Sequence, residues 1–298
     1  MNIRKIQNIE DSIFDTINTV LLLLILIVVV YPLVIIVSCS FSDPTAIAQG
    51  KVVFFPIGFN IDSYKRVFQD ARVLNGFKNT ILYTVVGTAI NLALTIAGAY
   101  PLSRKDFLGK NVITAIFVFT MFFNGGIIPT YLVVKQLRLI NNFWVMILPT
   151  AVSVWNLIIM RTFFKNSIPE ELYEAAGIDG CSHFKMLFRI VLPLSAPIIA
   201  VMVLFYGVAH WNAFFNALMY ITDRQKYPLQ MILRAILLES FQTESMINTT
   251  QIDQSQHLLI AEALKYALII VASVPVLILY PFLQKYFVKG VMIGAIKG

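Results

Sequence analysis

Charge is scarce in this chain. Of its 298 residues only 13% are Asp, Glu, Lys or Arg, whereas 58% are hydrophobic, and mean hydropathy is +0.77. A soluble domain cannot keep so much apolar surface from water, so the composition implies an integral membrane protein. Cysteine is nearly absent. Cys39 and Cys181 fall in unrelated segments and form neither a disulfide framework nor a metal signature. The three histidines, His183, His210 and His257, are scattered, and neither H-E-x-x-H nor G-x-S-x-G occurs. The phosphate-loop pattern G-x-x-x-x-G-K-[ST] is missing too, so no cofactor is expected in this chain, and any ATP and magnesium its work requires would be held by another. The formal net charge of +7 would suggest nucleic acid in a soluble protein. Here the positive charges hold loops at the cytoplasmic face.

What the chain has is apolar length. Long runs cover about 13–37, 77–102, 111–134, 143–163, 190–207 and 258–283. Runs of about twenty apolar residues span a bilayer as helices, whereas barrel strands would alternate. The predicted fold is all-α, a polytopic membrane protein with six transmembrane helices across a 13–284 transmembrane domain. Six spans put both termini on one side. Residues 1–12 carry Arg4 and Lys5, and the tail 285–298 carries Lys285, Lys289 and Lys297, which points to the cytoplasm. The short loops agree, with Arg104, Lys105 and Lys110 inside against Lys135 and Arg138 outside.

Two long segments, 41–76 and 222–257, read as external. In the first, Ser42-Asp43-Pro44 is a turn signal and Val52 to Pro56 an interfacial apolar strip. Asp62 to Asp70 is predicted as a short amphipathic helix with Tyr64, Val67 and Phe68 on one side. It either docks an external partner or packs on its own protein. In the second, Pro228 opens an amphipathic helix with Leu229, Ile232, Leu233, Ile236 and Leu237.

Polar residues inside the spans are few. Thr84, Thr88, Asn91 and Thr95 lie in the second span, where they hydrogen-bond across helices or line a cavity. Asn124-Gly125-Gly126 and Pro129 interrupt the third. Such a break is tolerated only where protein or a water-filled cavity satisfies the freed backbone, so it lines a path or makes a packing kink. Trp155-Asn156 lies in the fourth span. After the fifth comes His210-Trp211-Asn212-Ala213-Phe214-Phe215-Asn216. Aromatic faces beside planar amides suit the apolar and hydroxyl surfaces of a sugar; the alternative is an aromatic belt with capping asparagines. The candidate substrate path is therefore Asn91, Asn124, Trp155, Asn156, His210, Trp211, Asn212, Phe215 and Asn216.

The most polar helical pattern is IPEELYEAAGIDGCSHFKMLFRIVLP, Ile168 to Pro193, inside the loop 164–189. Ser167 and Glu170 fit a capping box, and Pro169 suits a first turn. Glu170 and Glu171 favour a helix N-terminus. Leu172, Ala175 and Ala176 fall on or near one face, and Gly180 supplies a left-handed stop. A second short helix follows from about Ser182. An apolar seam bracketed by acids, between two spans, reads as a docking helix for a soluble partner.

Glu174-Ala175-Ala176, then Asp179-Gly180, then Leu192-Pro193 resembles the EAA loop of binding-protein-dependent ABC importer permeases. The resemblance extends over the chain, through Ser42-Asp43-Pro44, Gly50-Lys51, Pro56, Tyr64, Asn79-Thr80, Trp211-Asn212, Pro228-Leu229-Gln230 and the string from Gly290 to Gly298. It is closest to the carbohydrate, maltose-type subunits, in the subgroup associated with oligosaccharides from complex polysaccharides. It implies the ABC type I importer permease fold in a bacterial cytoplasmic membrane. It also implies a heterodimer with a second permease subunit, two ATPase subunits inside and a solute-binding protein outside. Glu170, Glu171, Glu174, Ala175, Ala176, Asp179 and Gly180 would contact the ATPase. The maltose-type tail implies a further ATPase contact for Lys289, Gly290, Gly294, Lys297 and Gly298. In maltose-type systems the other subunit holds most sugar contacts. Two alternatives are carried: a permease for a non-sugar solute, which would need an ionic cluster in the spans, and a membrane-embedded enzyme, which would need converging His, Asp or Glu there.

Overall fold

The computed structural model describes residues 3–246, 259, 261–279 and 281. Among them there are helices and no strands. Among the described residues, three helices are long and apolar enough to cross a bilayer alone: Asp11–Ser40, Ala71–Ser103 and Ala261–Leu279. Three bent pairs pass the same test together. Lys110–Phe122 and Ile127–Gln136 meet at 114°, Phe143–Thr150 and Val154–Ser167 at 54°, and His183–Leu194 and Ala196–Trp211 at 83°. Counting each pair as one span gives the six predicted from the sequence.

In chain order the helices are α1 (Ile3–Ser40), α2 (Pro44–Ala48), α3 (Asp62–Gln69), α4 (Ala71–Ser103), α5 (Lys110–Phe122), α6 (Ile127–Gln136), α7 (Val154–Ser167) and α8 (Glu170–Ile178). Then come α9 (His183–Leu194), α10 (Ala196–Trp211), α11 (Phe215–Tyr220), α12 (Leu229–Met246) and α13 (Ala261–Leu279). Two compact units divide the chain. One holds the residues up to Asp70 with Leu233–Ala272, and the other Ala71–Ile232 with the segment from Ser273.

In the first unit, the segment after α1 folds back on that helix. Ser38 Oγ donates to the Phe54 carbonyl at 2.7 Å, and the Asp43 N–H donates to the Ile57 carbonyl at 2.9 Å. Asp43 caps α2 by accepting from the Thr45 N–H at 2.9 Å and from its hydroxyl. Those bonds favour the carboxylate and hold its pKa below the ordinary value. The α3 helix forms as predicted, but only one of its three apolar residues is fully inward: Val67 is buried, while Phe68 is exposed. Val67 and Phe68 are adjacent, and successive residues of a helix cannot share a face.

The second unit is organised on α4. Its buried residues include Gly76, Thr80, Tyr83, Gly87, Asn91, Thr95 and Ala99, a spacing of three or four that keeps one face inward. Most are small, which is how helices approach closely in lipid, where apolar burial alone gives no drive. That face packs on α7 and α10. A Cβ at Gly87 would collide with the His210 ring, so glycine is what lets α4 and α10 meet there. The core continues through Tyr100, Met160, Phe164, Ile168, Tyr173, Ala176, Met186, Val191 and Met202. The predicted break in the third span is present: Gly126 has φ +87°, and its N–H is taken by Asn124 Oδ1 at 2.8 Å. The fifth span differs from expectation. Its helical path starts at His183, passes a π-helical turn at Leu187–Val191, and bends between Leu194 and Ala196. Pro193 and Pro197 donate no backbone N–H, which frees carbonyls one turn earlier and permits the bend.

Candidate functional site

Two sites stand out in the second unit. The first is α8. The chain reaches it directly from α7, because Phe164 and Ile168 are buried at the end of that helix. Ser167 is the last residue of α7, so the expected capping box with Glu170 does not form. Pro169 occupies the cap position with extended φ −60° and ψ 143°, and no side chain caps the helix. Glu170 turns instead to the residues that follow α4. Its oxygens lie 3.7 Å from Arg104 Nη1 and 3.9 Å from Lys105 Nζ. The Arg104 guanidinium sits 3.7 Å over the Tyr173 ring, with Nε 3.2 Å from Asp106 Oδ1. Burial raises the Tyr173 hydroxyl pKa, and the Arg104 charge opposes that rise.

The faces of α8 also differ from expectation. Tyr173 and Ala176 point into the core, while Leu172, Ala175 and Ile178 are exposed together with Glu171, Glu174 and Asp179. Tyr173 claims the inward face because its ring covers Arg104. What remains outward is an apolar strip flanked by acids, and Ile178 is 88% exposed. The helix ends in a Schellman motif. Gly180 has φ +69°, Cys181 N–H donates to the Ala176 carbonyl at 2.9 Å, and Gly180 N–H donates to the Gly177 carbonyl at 3.0 Å. The predicted left-handed stop is therefore formed.

The second site is a cavity of about 370 Å³ among α4, α7, α10, α11 and the helical turns before α7. Of the nine predicted path residues it gathers Asn91, Asn156, His210, Asn212, Phe215 and Asn216. Asn91 Nδ2 donates to the Thr150 carbonyl at 2.9 Å, and its Oδ1 lies 3.3 Å from His210 Nε2. The Thr95 and Tyr206 hydroxyls are 2.7 Å apart. These bonds join α4 to α10 and to the helical turn before α7, so Asn91 serves as helix glue and as lining. Asn212 is held by Gln230 and by the Val208 carbonyl. Among the described residues, Asn156 and Asn216 make no side-chain hydrogen bond, which leaves their amides to a ligand. Among the described residues, no Asp, Glu, Lys or Arg lines the cavity.

Three predicted path residues lie elsewhere. Trp155 faces outward, 62% exposed, one position off the inward face of α7. Trp211 is buried against Phe77, with ring centroids 6.1 Å apart. Asn124 is exposed and serves the break between α5 and α6. The tail residues Lys289, Gly290, Gly294, Lys297 and Gly298 lie outside the described residues. The sequence pattern marks Arg104 only as a sign of loop side and singles out neither Tyr173 nor Tyr206, whose roles depend on partners distant in the chain.

Comparison with known proteins decides the family. Residues 3–293 match the model for the binding-protein-dependent transport system inner membrane component. The chain belongs to this family. It is 43% identical over 286 residues to Protein LplC of Bacillus subtilis, covering 96% of this chain and 95% of that one. It is 38% identical over 289 residues to the polygalacturonan/rhamnogalacturonan transport system permease protein YtcP of the same organism, covering 97% and 100%. Among solved structures, a chain of a bacterial ABC transporter involved in import of the acidic polysaccharide alginate shares 33% identity. Its TM-score is 0.83, with 93% of this chain and 98% of that chain covered. The protein is thus a permease subunit of an ABC importer, a multi-pass protein of the cytoplasmic membrane. It is not itself an enzyme, because the ATPase of such a system is a separate subunit. It has the type I permease fold, and it works with an ATPase and a binding protein.

Proposed function

We propose that this subunit carries an oligosaccharide released from a complex polysaccharide, and that the cavity beside Asn91 and Asn156 is its share of the path. The cavity carries the assignment. Amides and hydroxyls from four helices converge there with Phe205, Phe214 and Phe215. Planar amides address adjacent hydroxyls, and aromatic rings cover the C–H faces of a pyranose. The names of YtcP and of the alginate transporter support a polysaccharide-derived cargo. Both of those cargoes are acidic polymers by their chemistry, yet among the described residues no Lys or Arg lines this cavity. A carboxylate on the cargo would be met by a second permease subunit or the binding protein, while this chain reads the neutral hydroxyl face.

The assembly consistent with this is a heterodimer of two permease subunits, two ATPases on the cytoplasmic side and a binding protein outside. The termini and the loop holding α8 then face the cytoplasm, and the exposed strip of Leu172, Ala175 and Ile178 seats in a cleft of one ATPase. ATP-driven closure of the ATPases moves α8, the spans rock, and the cavity opens toward the loaded binding protein. The test is ATP hydrolysis by the complex in lipid nanodiscs, with its binding protein and a panel of neutral and uronic oligosaccharides. Stimulation by one sugar class supports the assignment. Stimulation only by a non-sugar solute overturns the cargo and leaves the permease role intact.

A further inference from the structure

Arg104 is the residue that the loop pattern explains least. A lysine would mark the cytoplasmic side of a loop equally well. Yet its side chain is only 12% exposed, and it touches α8 twice, through the Tyr173 face and through Glu170. Its own backbone directly follows Ser103, the last residue of α4, and Lys110 Nζ donates to its carbonyl at 2.9 Å. A second anchor lies close by. Arg161 Nε of α7 donates to the Leu102 carbonyl at 2.9 Å, which fixes this end of α4 to the helix that leads into α8.

We infer that Arg104 is the positioning residue through which displacement of α8 reaches the cavity. The inference rests on α8 being the ATPase-contacting helix. From Ser103 to Asn91 the α4 helix is unbroken apart from the proline at 101, a length of about 18 Å at 1.5 Å per residue. A rigid helix carries a shift at one end to the other. At its far end sit Thr95, bonded to Tyr206, and Asn91, in contact with His210. Tyr206 and His210 lie on α10, which is also reached from α8 through α9 and the bend at Ser195. Two routes from one helix therefore converge on the same pair of contacts. The α9 route contains a π-turn and an 83° bend, so it transmits a push poorly. The Arg104 route runs along one continuous helix with Pro101 near its end, and its joint combines a planar stack with an ion pair that a lysine cannot reproduce.

The test uses the whole complex in proteoliposomes, with R104Q, R104K and Y173L in this subunit. The readout is sugar moved per ATP hydrolysed, beside the amount of assembled complex. Arg104 as the joint predicts normal assembly and hydrolysis with sugar per ATP lower by about twofold to thirtyfold, the range that residues along a coupling route command. R104K falls between wild type and R104Q, and R104Q/Y173L is no worse than R104Q because both remove one joint. If sugar per ATP is unchanged in assembled R104Q and R104K, the inference fails. If hydrolysis and transport fall in parallel with complex amount in both, Arg104 is structural and the inference also fails. A175W, on the exposed strip of α8, separates this from the underlying assignment. Retention of the ATPase in A175W would sink the coupling-helix assignment, and loss of the ATPase with no effect of R104Q would sink only the inference.

Discussion

Replacing Gly180 probes the joint at the end of α8 with a series whose order is fixed by backbone geometry. The residue sits at φ +69°, and a Cβ built there meets nothing within 4 Å. Space is therefore not the constraint. The cost of a side chain is the left-handed backbone itself, about 1–2 kcal/mol for an ordinary L residue. Asparagine tolerates that region, alanine less so, and a β-branched residue least. A penalty of one or two kcal/mol shifts the population of the formed turn by a factor of about 5–30. The Schellman bonds from Cys181 and Gly180 are what that population holds in place. The assay is sugar moved per ATP in proteoliposomes, with membrane insertion and complex amount as controls. Insertion should be normal throughout, and coupling should fall in the order Gly, Asn, Ala, Val. Asparagine is larger than alanine, so an order that follows size would refute the conformational argument. A flat series would refute the role of the turn.

Other changes test the remaining joints. G87A places a methyl group against the His210 ring, with even the farthest of three ring atoms at 2.8 Å, and such overpacking costs about 1–3 kcal/mol. A lowered melting midpoint of the complex, partly restored in G87A/H210A, is the expected result. N156L and N216L should leave stability nearly unchanged and weaken the apparent affinity for cargo about threefold to tenfold, the worth of one net hydrogen bond; unchanged sugar response in both would remove the cavity from the path. D43A should lower the midpoint by removing the cap on α2. Because the Asp43 pKa is depressed in the folded chain, its contribution is present above the ordinary carboxylate value and lost as pH falls through the folded one. The difference between wild type and D43A should therefore vanish in acid.

The spans were legible because apolar length is a signal that needs no partner. Every predicted run corresponds to a described helix or bent pair. Glycine and proline marked the break at Asn124 to Gly126, and Gly180 marked the end of α8. Faces were harder. On α8 the sequence put Leu172, Ala175 and Ala176 on or near one face, whereas the position of Arg104, far away in the chain, turns Tyr173 and Ala176 inward and leaves Leu172 and Ala175 outside. Trp155 and Asn156 are adjacent, so a list of polar and aromatic residues includes both, while helix rotation admits one to the cavity. The bend after α9 was signalled by Pro193 and Pro197, but apolar length alone gives neither the angle nor the start of the helical path at His183.

The most direct measurement is uptake of a labelled oligosaccharide into proteoliposomes that carry the complete complex, with ATP inside and the loaded binding protein outside. An importer permease gives uptake that requires both and that falls when α8 is altered by A175W. Uptake that proceeds without ATP, or ATP hydrolysis that moves no solute of any class, would contradict it.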